Sequence, residues 1–211
     1  MKKTVRNTLI GVGLLAGSLT AYGQGGESEA LRQMYVNVNA GGAFLTGTDI
    51  GNRDVDFNLG LRLDAAVGYR IQGPWSVEFE TGWVWNSVDK VNGTSVPGSV
   101  DDNLYQIPFL VNGVYHFETG NQWKPYVGAG IGGILAILSV DEPGIEDDDS
   151  SFAFSAQFKG GLAYAFDEHM LVDFSYKLMY SSDQEWEFGP GKIKSDSLIT
   201  HCFLASFTYN F

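Results

Sequence analysis

The sequence ends with the stretch Phe203-Leu-Ala-Ser-Phe-Thr-Tyr-Asn-Phe211. Its large aromatic rings share one face of an extended segment, and Ser206, Thr208 and Asn210 lie on the other. A strand that ends on a bare aromatic is unusual in a soluble domain, because chain ends fray in water. At a lipid–water boundary the same residue would join a girdle of aromatic side chains. The stretch therefore predicts a β-strand that crosses a membrane.

The first 23 residues have the pattern of a secretory signal peptide. A basic start with Lys2, Lys3 and Arg6 is followed by an apolar segment, and Ala21-Tyr-Gly23 fits a small-x-small cleavage site. The apolar segment is too short for a stable membrane helix, although an anchor is the alternative interpretation. We predict a signal peptide over 1–23, a flexible lead-in over 24–34 and one β-barrel domain over 35–211.

Composition excludes several classes of protein. Removal of the signal peptide leaves 10 of the 13 Lys and Arg residues against 25 Asp and Glu, a net charge of −15. This balance argues against a nucleic-acid partner, which requires a basic surface. The single cysteine, Cys202, cannot form an internal disulfide and offers no metal-ligand spacing. No segment after the signal peptide approaches 18 consecutive apolar residues, so no membrane helix is predicted.

Eight segments alternate between apolar and polar residues with the period of two that is typical of β-strands. In the clearest of them Leu59, Leu61 and Leu63 share one face, whereas Arg62 and Asp64 share the other. The eight predicted strands cover 35–45, 59–71, 75–86, 104–117, 125–138, 152–166, 170–180 and 198–211. Three short connections alternate with four long ones (46–58, 87–103, 139–151 and 181–197). This order predicts an all-β, eight-stranded antiparallel up-and-down barrel with both termini in the periplasm.

The period alone does not say which face points inward. A soluble barrel, such as a lipocalin, places its apolar face inside and binds a small ligand there. Here the apolar face is too bulky for the lumen of eight strands, because two neighbouring strands alone carry eight aromatic rings. We therefore predict that the apolar face meets lipid and that small or charged residues fill the lumen. The predicted aromatic girdle contains Trp75, Trp83, Trp85, Tyr209 and Phe211.

Four segments carry a family resemblance. They are Ile107-Pro-Phe-Leu-Val-Asn-Gly-Val-Tyr115, Lys124-Pro-Tyr-Val-Gly-Ala-Gly-Ile-Gly132, Gly161-Leu-Ala-Tyr164 and Asp173-Phe-Ser-Tyr176. In this order and spacing they resemble strands of the small opacity-protein-like outer-membrane barrels, over roughly 35–211. The resemblance implies the cell outer membrane and an architecture related to the membrane domain of outer membrane protein A. It also implies that the barrel assembly machinery reads the last strand through Phe211. It does not imply one activity, because members include adhesins, narrow pores and uncharacterised proteins.

Charged residues on the polar face form a predicted lumen network. Its members are Arg62, Asp64, Arg70, Glu78, Glu80, Lys159, Asp173 and Lys177. Their charges sum to zero, and an unpaired charge in a narrow lumen is costly, so the groups should be paired. We interpret the network as a structural plug. The alternative is a gate that opens a thin path for ions.

Other residues offer weaker signals for chemistry. The acidic run Asp141–Asp149 lacks the spacing of a calcium loop and is interpreted as a solvated loop, with weak divalent-cation binding as the alternative. His116, His169 and His201 raise the possibility of a lipid-modifying enzyme, but only Ser195 or Ser197 near His201 offers a loose nucleophile. We predict no catalytic residue, no metal and no cofactor.

The predicted function follows from this architecture. We expect a monomer that contacts the lipid bilayer and lipopolysaccharide, and that displays four surface loops in a structural or adhesive role. A narrow ion or small-solute channel is the first alternative, and a lipid-modifying enzyme is the second.

Overall fold

The computed structural model describes residues 33–50, 53–71, 73–95, 103–142, 145–188 and 191–211. The predicted signal peptide and residues 24–32 of the predicted lead-in lie outside these ranges, and Met34 already belongs to the first strand. The strands are β1 (Met34–Leu45), β2 (Thr48–Ile50), β3 (Arg53–Phe57), β4 (Gly60–Arg70), β5 (Trp75–Val91), β6 (Thr94–Ser95), β7 (Asn103–His116), β8 (Trp123–Glu142), β9 (Ile145–Ala165), β10 (Met170–Ser181), β11 (Gln184–Phe188), β12 (Gly191–Ser195) and β13 (Leu198–Asn210). Among the described residues no helix is long and apolar enough to cross a membrane.

Eight of these strands form a closed antiparallel barrel. Their order around the wall is β5, β4, β1, β13, β10, β9, β8 and β7, and β7 pairs with β5 to close the ring. The first and last strands pair directly, from Tyr35 opposite Asn210 to Leu45 opposite Thr200. The eight wall strands correspond to the eight predicted segments, so the predicted fold class is confirmed.

Side chains alternate between the lumen and the outer surface along the wall. In β4 Arg62 and Asp64 are buried, whereas Leu61 and Leu63 are nearly half exposed. The predicted girdle residues face outward, with Trp75 52% exposed. This direction confirms that the apolar face lies on the outside of the barrel, where lipid can cover it.

The two ends of the barrel differ. The described parts of three short turns, at 71 and 73–74, 117–122 and 166–169, lie at the end where β1 begins and β13 ends. Gly73 and Gly120 adopt positive φ angles of 64° and 69°, which favour glycine. We call this end the turn end and the opposite one the loop end.

The long connections at the loop end are more regular than predicted. β5 continues to Val91 and β8 pairs with β9 as far as Glu142 opposite Ile145, both inside segments that were expected to be loops. Asn92 and Gly93 both have positive φ, and they join β5 to β6 through a two-residue hairpin turn. Asn-Gly between strand-forming residues is a strong hairpin signal, so this turn was predictable from the sequence.

The extra strands form one continuous structure above the wall. β11 pairs with β12, β12 with β2, β2 with β3, and β3 with the far end of β5. We call these strands, together with β6 and the loop-end extensions of β5, β8 and β9, the collar. The expectation of irregular loops was wrong here because edge strands satisfy their backbone groups by pairing with neighbours.

Candidate functional site

The centre of the lumen contains a compact group of buried ion pairs. Arg62 Nε lies 2.8 Å from Asp64 Oδ2, and Arg62 Nη2 lies 3.0 Å from Glu80 Oε1. From the opposite wall, Lys177 Nζ lies 2.8 Å from both Asp64 Oδ2 and Glu80 Oε1. All four side chains are at most 2% exposed. β4, β5 and β10 bring these groups together across the barrel axis.

A second group extends this network towards the turn end. Lys159 forms an ion pair with Glu78, and its Nζ lies 3.5 Å from Glu80 Oε2. Two neutral amides complete the shell around Glu80: Gln157 Nε2 donates at 3.1 Å and Asn112 Nδ2 at 3.2 Å. Three cations thus meet three carboxylates, and the amides satisfy the remaining acceptors, as burial of charge requires.

Glycine in the wall makes room for this arrangement. A Cβ atom at Gly130 would overlap the side-chain oxygen of Asn112, and one at Gly68 would overlap the ring of Tyr35. The Asn112 amide and the Tyr35 ring both take part in hydrogen bonds of the lumen. Only glycine at the facing positions leaves enough room for them.

Two predicted members lie apart from the ion pairs. Asp173 accepts a hydrogen bond from the Tyr126 hydroxyl at 2.8 Å and forms no salt bridge among the described residues. Arg70 is exposed at the turn end, where it donates to Asn210 Oδ1 at 2.9 Å. Arg70 lies an even number of residues from Arg62, so the alternation of the strand assigns both to the lumen face. Arg70, however, occupies the last position of β4, at the mouth of the lumen.

The loop half of the lumen combines buried apolar side chains with buried polar ones such as Asn86, Gln106 and Thr200, which corrects the expectation of a lumen filled only by small or charged residues. Two buried clusters succeed each other above the ion pairs. The lower cluster contains Ala43, Val84, Ile134, Ala153, Met179, Cys202 and Leu204. The upper cluster contains Leu45, Leu104, Ala136, Leu138, Trp186 and Leu198, with Phe57 packed against it.

Trp186 closes the upper cluster, and sequence reasoning missed it. It lies on β11 in the collar, is fully buried, and donates from Nε1 to the carbonyl oxygen of Ala136 at 3.3 Å. The backbone of the same hairpin is held by the bond from Glu185 N to Ser151 Oγ at 3.1 Å. In the sequence the acidic Glu185 stands between Gln184 and Trp186. This alternation could have predicted that Trp186 lies on a buried face of the segment.

The lone cysteine lies between the apolar and ionic layers. Cys202 is fully buried in the lower cluster, and Arg62 Nη1 lies 3.6 Å from its Sγ atom. The side chain therefore fills space beside the guanidinium, on the lumen side of β13, as the strand parity predicts.

A serine–histidine pair occurs at the turn end. Ser76 Oγ lies 2.9 Å from His116 Nε2 and 2.9 Å from the Tyr35 hydroxyl, which donates to Glu78 Oε1 at 2.7 Å. Because Tyr35 gives its only proton to Glu78, Ser76 donates to Tyr35 and His116 donates to Ser76. A general base would instead accept the proton of the serine. The donor order is therefore opposite to that of an activated nucleophile.

The remaining histidines also have structural partners. His201 Nδ1 bonds the Tyr176 hydroxyl at 2.7 Å on the outer face, and His169 Nδ1 bonds the carbonyl oxygen of Asn210 at 2.9 Å. The structure gives no hydrogen bond between His201 and either Ser195 or Ser197 in the part of the chain that it describes. The loose candidate for a nucleophile is therefore not assembled.

No metal site is found among the residues whose side chains are described. The described backbone of the acidic run belongs to β8 and β9 rather than to a loop, and side chains 141–148 lie outside that set, so their solvation stays a prediction.

Aromatic rings form contacts on the outer face near both ends of the wall. At the turn end Trp75 packs edge-on against Tyr115 at 5.0 Å between centroids, and Tyr209 packs against Phe211 at 5.4 Å. Further along β5, Trp83 lies 5.8 Å from Tyr105. Rings of this kind suit the two membrane interfaces, where their apolar bodies meet lipid and their polar edges meet water.

Comparison with known proteins agrees with this geometry. Residues 11–211 match the family model described as outer membrane protein beta-barrel domain. The chain belongs to this family. An uncharacterized outer-membrane protein of Sinorhizobium fredii, y4mB, is 27% identical over 165 residues, which are 75% of this chain and 69% of that protein. Membership of the family and this relative place the protein in the outer membrane.

Solved structures show the same fold at low sequence identity. Neisserial surface protein A has a TM-score of 0.60 at 20% identity, covering 85% of this chain and 97% of that one. AlkL, solved in lipid bilayers, has a TM-score of 0.57 at 15% identity, covering 90% and 95%. OprG from Pseudomonas aeruginosa has a TM-score of 0.52 at 16% identity, covering 84% and 96%. All three are small outer-membrane barrels.

Proposed function

We propose that this outer-membrane protein is a sealed barrel that holds its collar at the cell surface, where the loops bind a partner. The observation that carries the proposal is the doubly obstructed lumen. The ion-pair network blocks the centre, and the two apolar clusters under Trp186 block the loop half.

Both obstructions oppose ion flow for physical reasons. An ion that crosses the centre would have to separate almost fully buried charges that hold one another at 2.8–3.0 Å. Towards the loop end it would meet two buried clusters whose apolar side chains offer an ion no polar partner. We therefore favour the structural plug over the gate.

The collar supports a role in binding. Its strands continue beyond the wall, so the exposed segments rest on a rigid base rather than on flexible links. The four connections at the loop end carry 16 Asp and Glu residues against 4 Lys and Arg. This excess favours a partner with a basic surface, because complementary charge accelerates encounter and selects against acidic partners.

The remaining assignments belong to the same proposal. The signal peptide directs export, the barrel inserts as a monomer, and lipopolysaccharide surrounds the loop half. The last strand, followed directly by Phe211, presents its aromatic face to the barrel assembly machinery. The outward rings of Phe207 and Tyr209 and the pairing of β13 with β1 support this function for the strand.

Two measurements test the proposal. Purified protein in planar bilayers should give no steady conductance, and large steady currents from the wild type would exclude a sealed lumen. On intact cells, Thr94→Cys in the collar should react with a membrane-impermeant maleimide, whereas Glu118→Cys at the turn end should not. Both variants are made in a Cys202→Ser background, and labelling of Glu118→Cys alone would reverse the proposed orientation.

A further inference from the structure

The turn end of the lumen opens into two connected cavities. The outer cavity has a volume of about 530 Å³ and the inner one about 40 Å³. Four residues line both cavities and so form the neck between them: Arg70, His116, Lys124 and Leu171. The ion-pair network closes the inner cavity, so the pair of cavities is a blind vestibule.

The guanidinium at the neck is held in place by neutral groups. Arg70 Nη2 donates to Asn210 Oδ1 at 2.9 Å, and the Arg70 guanidinium carbon lies 5.5 Å from the centre of the Tyr35 ring. Asn210 is fixed in turn, since its Nδ2 donates to the carbonyl oxygen of Glu168 at 3.0 Å. Arg70 is therefore ordered before a ligand arrives, which reduces the entropy that binding would cost.

The two cations of the neck have no carboxylate partner. Neither Arg70 nor Lys124 forms a salt bridge in the part of the chain that the structure describes. The neck therefore has a net positive charge, in contrast to the neutral network behind it.

The carboxylates near the neck either have partners of their own or line only the outer cavity. In the inner cavity Glu78 pairs with Lys159, and Asp173 accepts from Tyr126. In the outer cavity Asp167 accepts from two backbone amides of its own turn, while Glu118 and Glu168 line only the outer part. No carboxylate lines both cavities.

We infer that the neck of the turn-end vestibule binds the anionic group, a carboxylate or a phosphate, of a small solute. The guanidinium of Arg70 offers unused N–H donors in a planar fork that suits either group, and Lys124 adds a second charge. The outer cavity can hold the body of a small molecule, whereas the inner one admits little more than a water-sized group. Only the charged head can therefore enter the neck.

The test uses the full mature chain, folded in detergent micelles and titrated at constant ionic strength. Inorganic phosphate, glycerol phosphate and acetate are added separately, and the 15N signals of the Arg70 and Lys124 side chains are followed. We expect saturable shifts with at least one of the three probes. Saturation by the phosphates alone assigns a phosphoryl ligand, and saturation by acetate alone assigns a carboxylate. Absence of saturation with every probe overturns the inference.

Variants locate the site. Arg70→Gln and Lys124→Gln should each weaken binding about tenfold, which corresponds to the loss of one charge-assisted contact. Lys124→Arg should retain binding, and Lys194→Gln in the collar is the matched control that should leave it unchanged. Equal affinity in the wild type and Lys124→Gln would overturn the inference, and this comparison remains available if Arg70→Gln does not fold. A folded barrel is verified by its heat-modifiable migration in gels.

Discussion

Replacement of Glu80 with alanine is the strongest test of the lumen network. Glu80 contacts Arg62 at 3.0 Å, Lys177 at 2.8 Å and Lys159 at 3.5 Å, and its side chain is fully buried. Its removal leaves three cations with two carboxylates, so one positive charge has no counter-charge in the buried centre of the lumen. Breaking a buried ion pair by removal of one partner costs about 3–5 kcal/mol. We expect a loss of that size in the free energy of unfolding.

The assay is reversible urea unfolding in lipid vesicles, followed by tryptophan fluorescence. A second variant, Lys177→Ala, should also be destabilised. The double variant Glu80→Ala/Lys177→Ala leaves Arg62 and Lys159 with two carboxylates and restores neutrality. Its destabilisation should therefore be smaller than the sum of the single effects by about 1–3 kcal/mol, because residues in one network are coupled.

A surface pair in the same chain is the control. Lys194 Nζ lies 3.0 Å from Glu185 Oε2 in the collar, but the lysine side chain is 73% exposed. Lys194→Ala should change the unfolding free energy by less than about 1 kcal/mol. A Glu80→Ala effect no larger than this control, or strict additivity in the double variant, would refute the claim that the buried lumen charges stabilise one another.

Three further substitutions test other parts of the structure. Phe158→Arg, near the middle of the lipid-facing row of β9, should lower barrel stability in vesicles by about 2–4 kcal/mol, whereas Phe152→Arg nearer the loop end should cost about 0–1 kcal/mol. Gly130→Ala should cost about 1–3 kcal/mol through overpacking, whereas Gly113→Ala, with open space at its Cβ position, should not destabilise in the same assay. Asp167 accepts hydrogen bonds from two backbone amides, which lowers its pKa below the ordinary 3.8. The contribution of the ionised Asp167 carboxylate to folding stability is therefore present at neutral pH and is lost as the pH falls through the lowered pKa. Asp167→Ala should reduce the thermal midpoint at pH 7, and the wild type and the variant should have the same midpoint in strong acid.

The wall of the barrel was predictable because its signal is local. Alternate residues of β4 differ sharply in polarity, so parity assigns Arg62 and Asp64 to the lumen and Leu61 and Leu63 to lipid without any knowledge of the neighbouring strands. Volume then decides the direction of the apolar face, because an eight-stranded lumen cannot contain so many rings.

The depth of a residue in the lumen was less predictable, because depth depends on strand register and tilt. Arg62 and Arg70 have the same parity on the same strand, but only Arg62 reaches the carboxylates at the centre. Likewise, parity alone does not show that Gln157 and Asn112, from other strands, complete the shell around Glu80. These contacts arise only when the wall closes.

The buried position of Trp186 has a different cause. Along the wall, most large aromatic side chains turn outward because lipid covers them there, and the inward Tyr35 has hydrogen-bond partners in the lumen. Beyond the wall the outer surface meets water, so an aromatic ring in the collar lowers its free energy by turning inward onto the lumen. The same residue type therefore has opposite directions in two parts of one sheet, and the boundary between them marks the edge of the membrane.

Charge is partitioned between the same two regions. Beneath the collar, each buried ion pair is balanced, because an isolated charge in the lumen would be far too costly. The connections at the loop end have no such constraint, and their excess of 12 carboxylates makes up most of the net charge of −15 of the chain without its predicted signal peptide. Their mutual repulsion is screened over about 8 Å at physiological ionic strength, so the excess of carboxylates raises the negative potential at the loop end. A partner attracted by this potential would bind more weakly as salt rises, whereas the stability that the buried ion pairs of the lumen provide should change little.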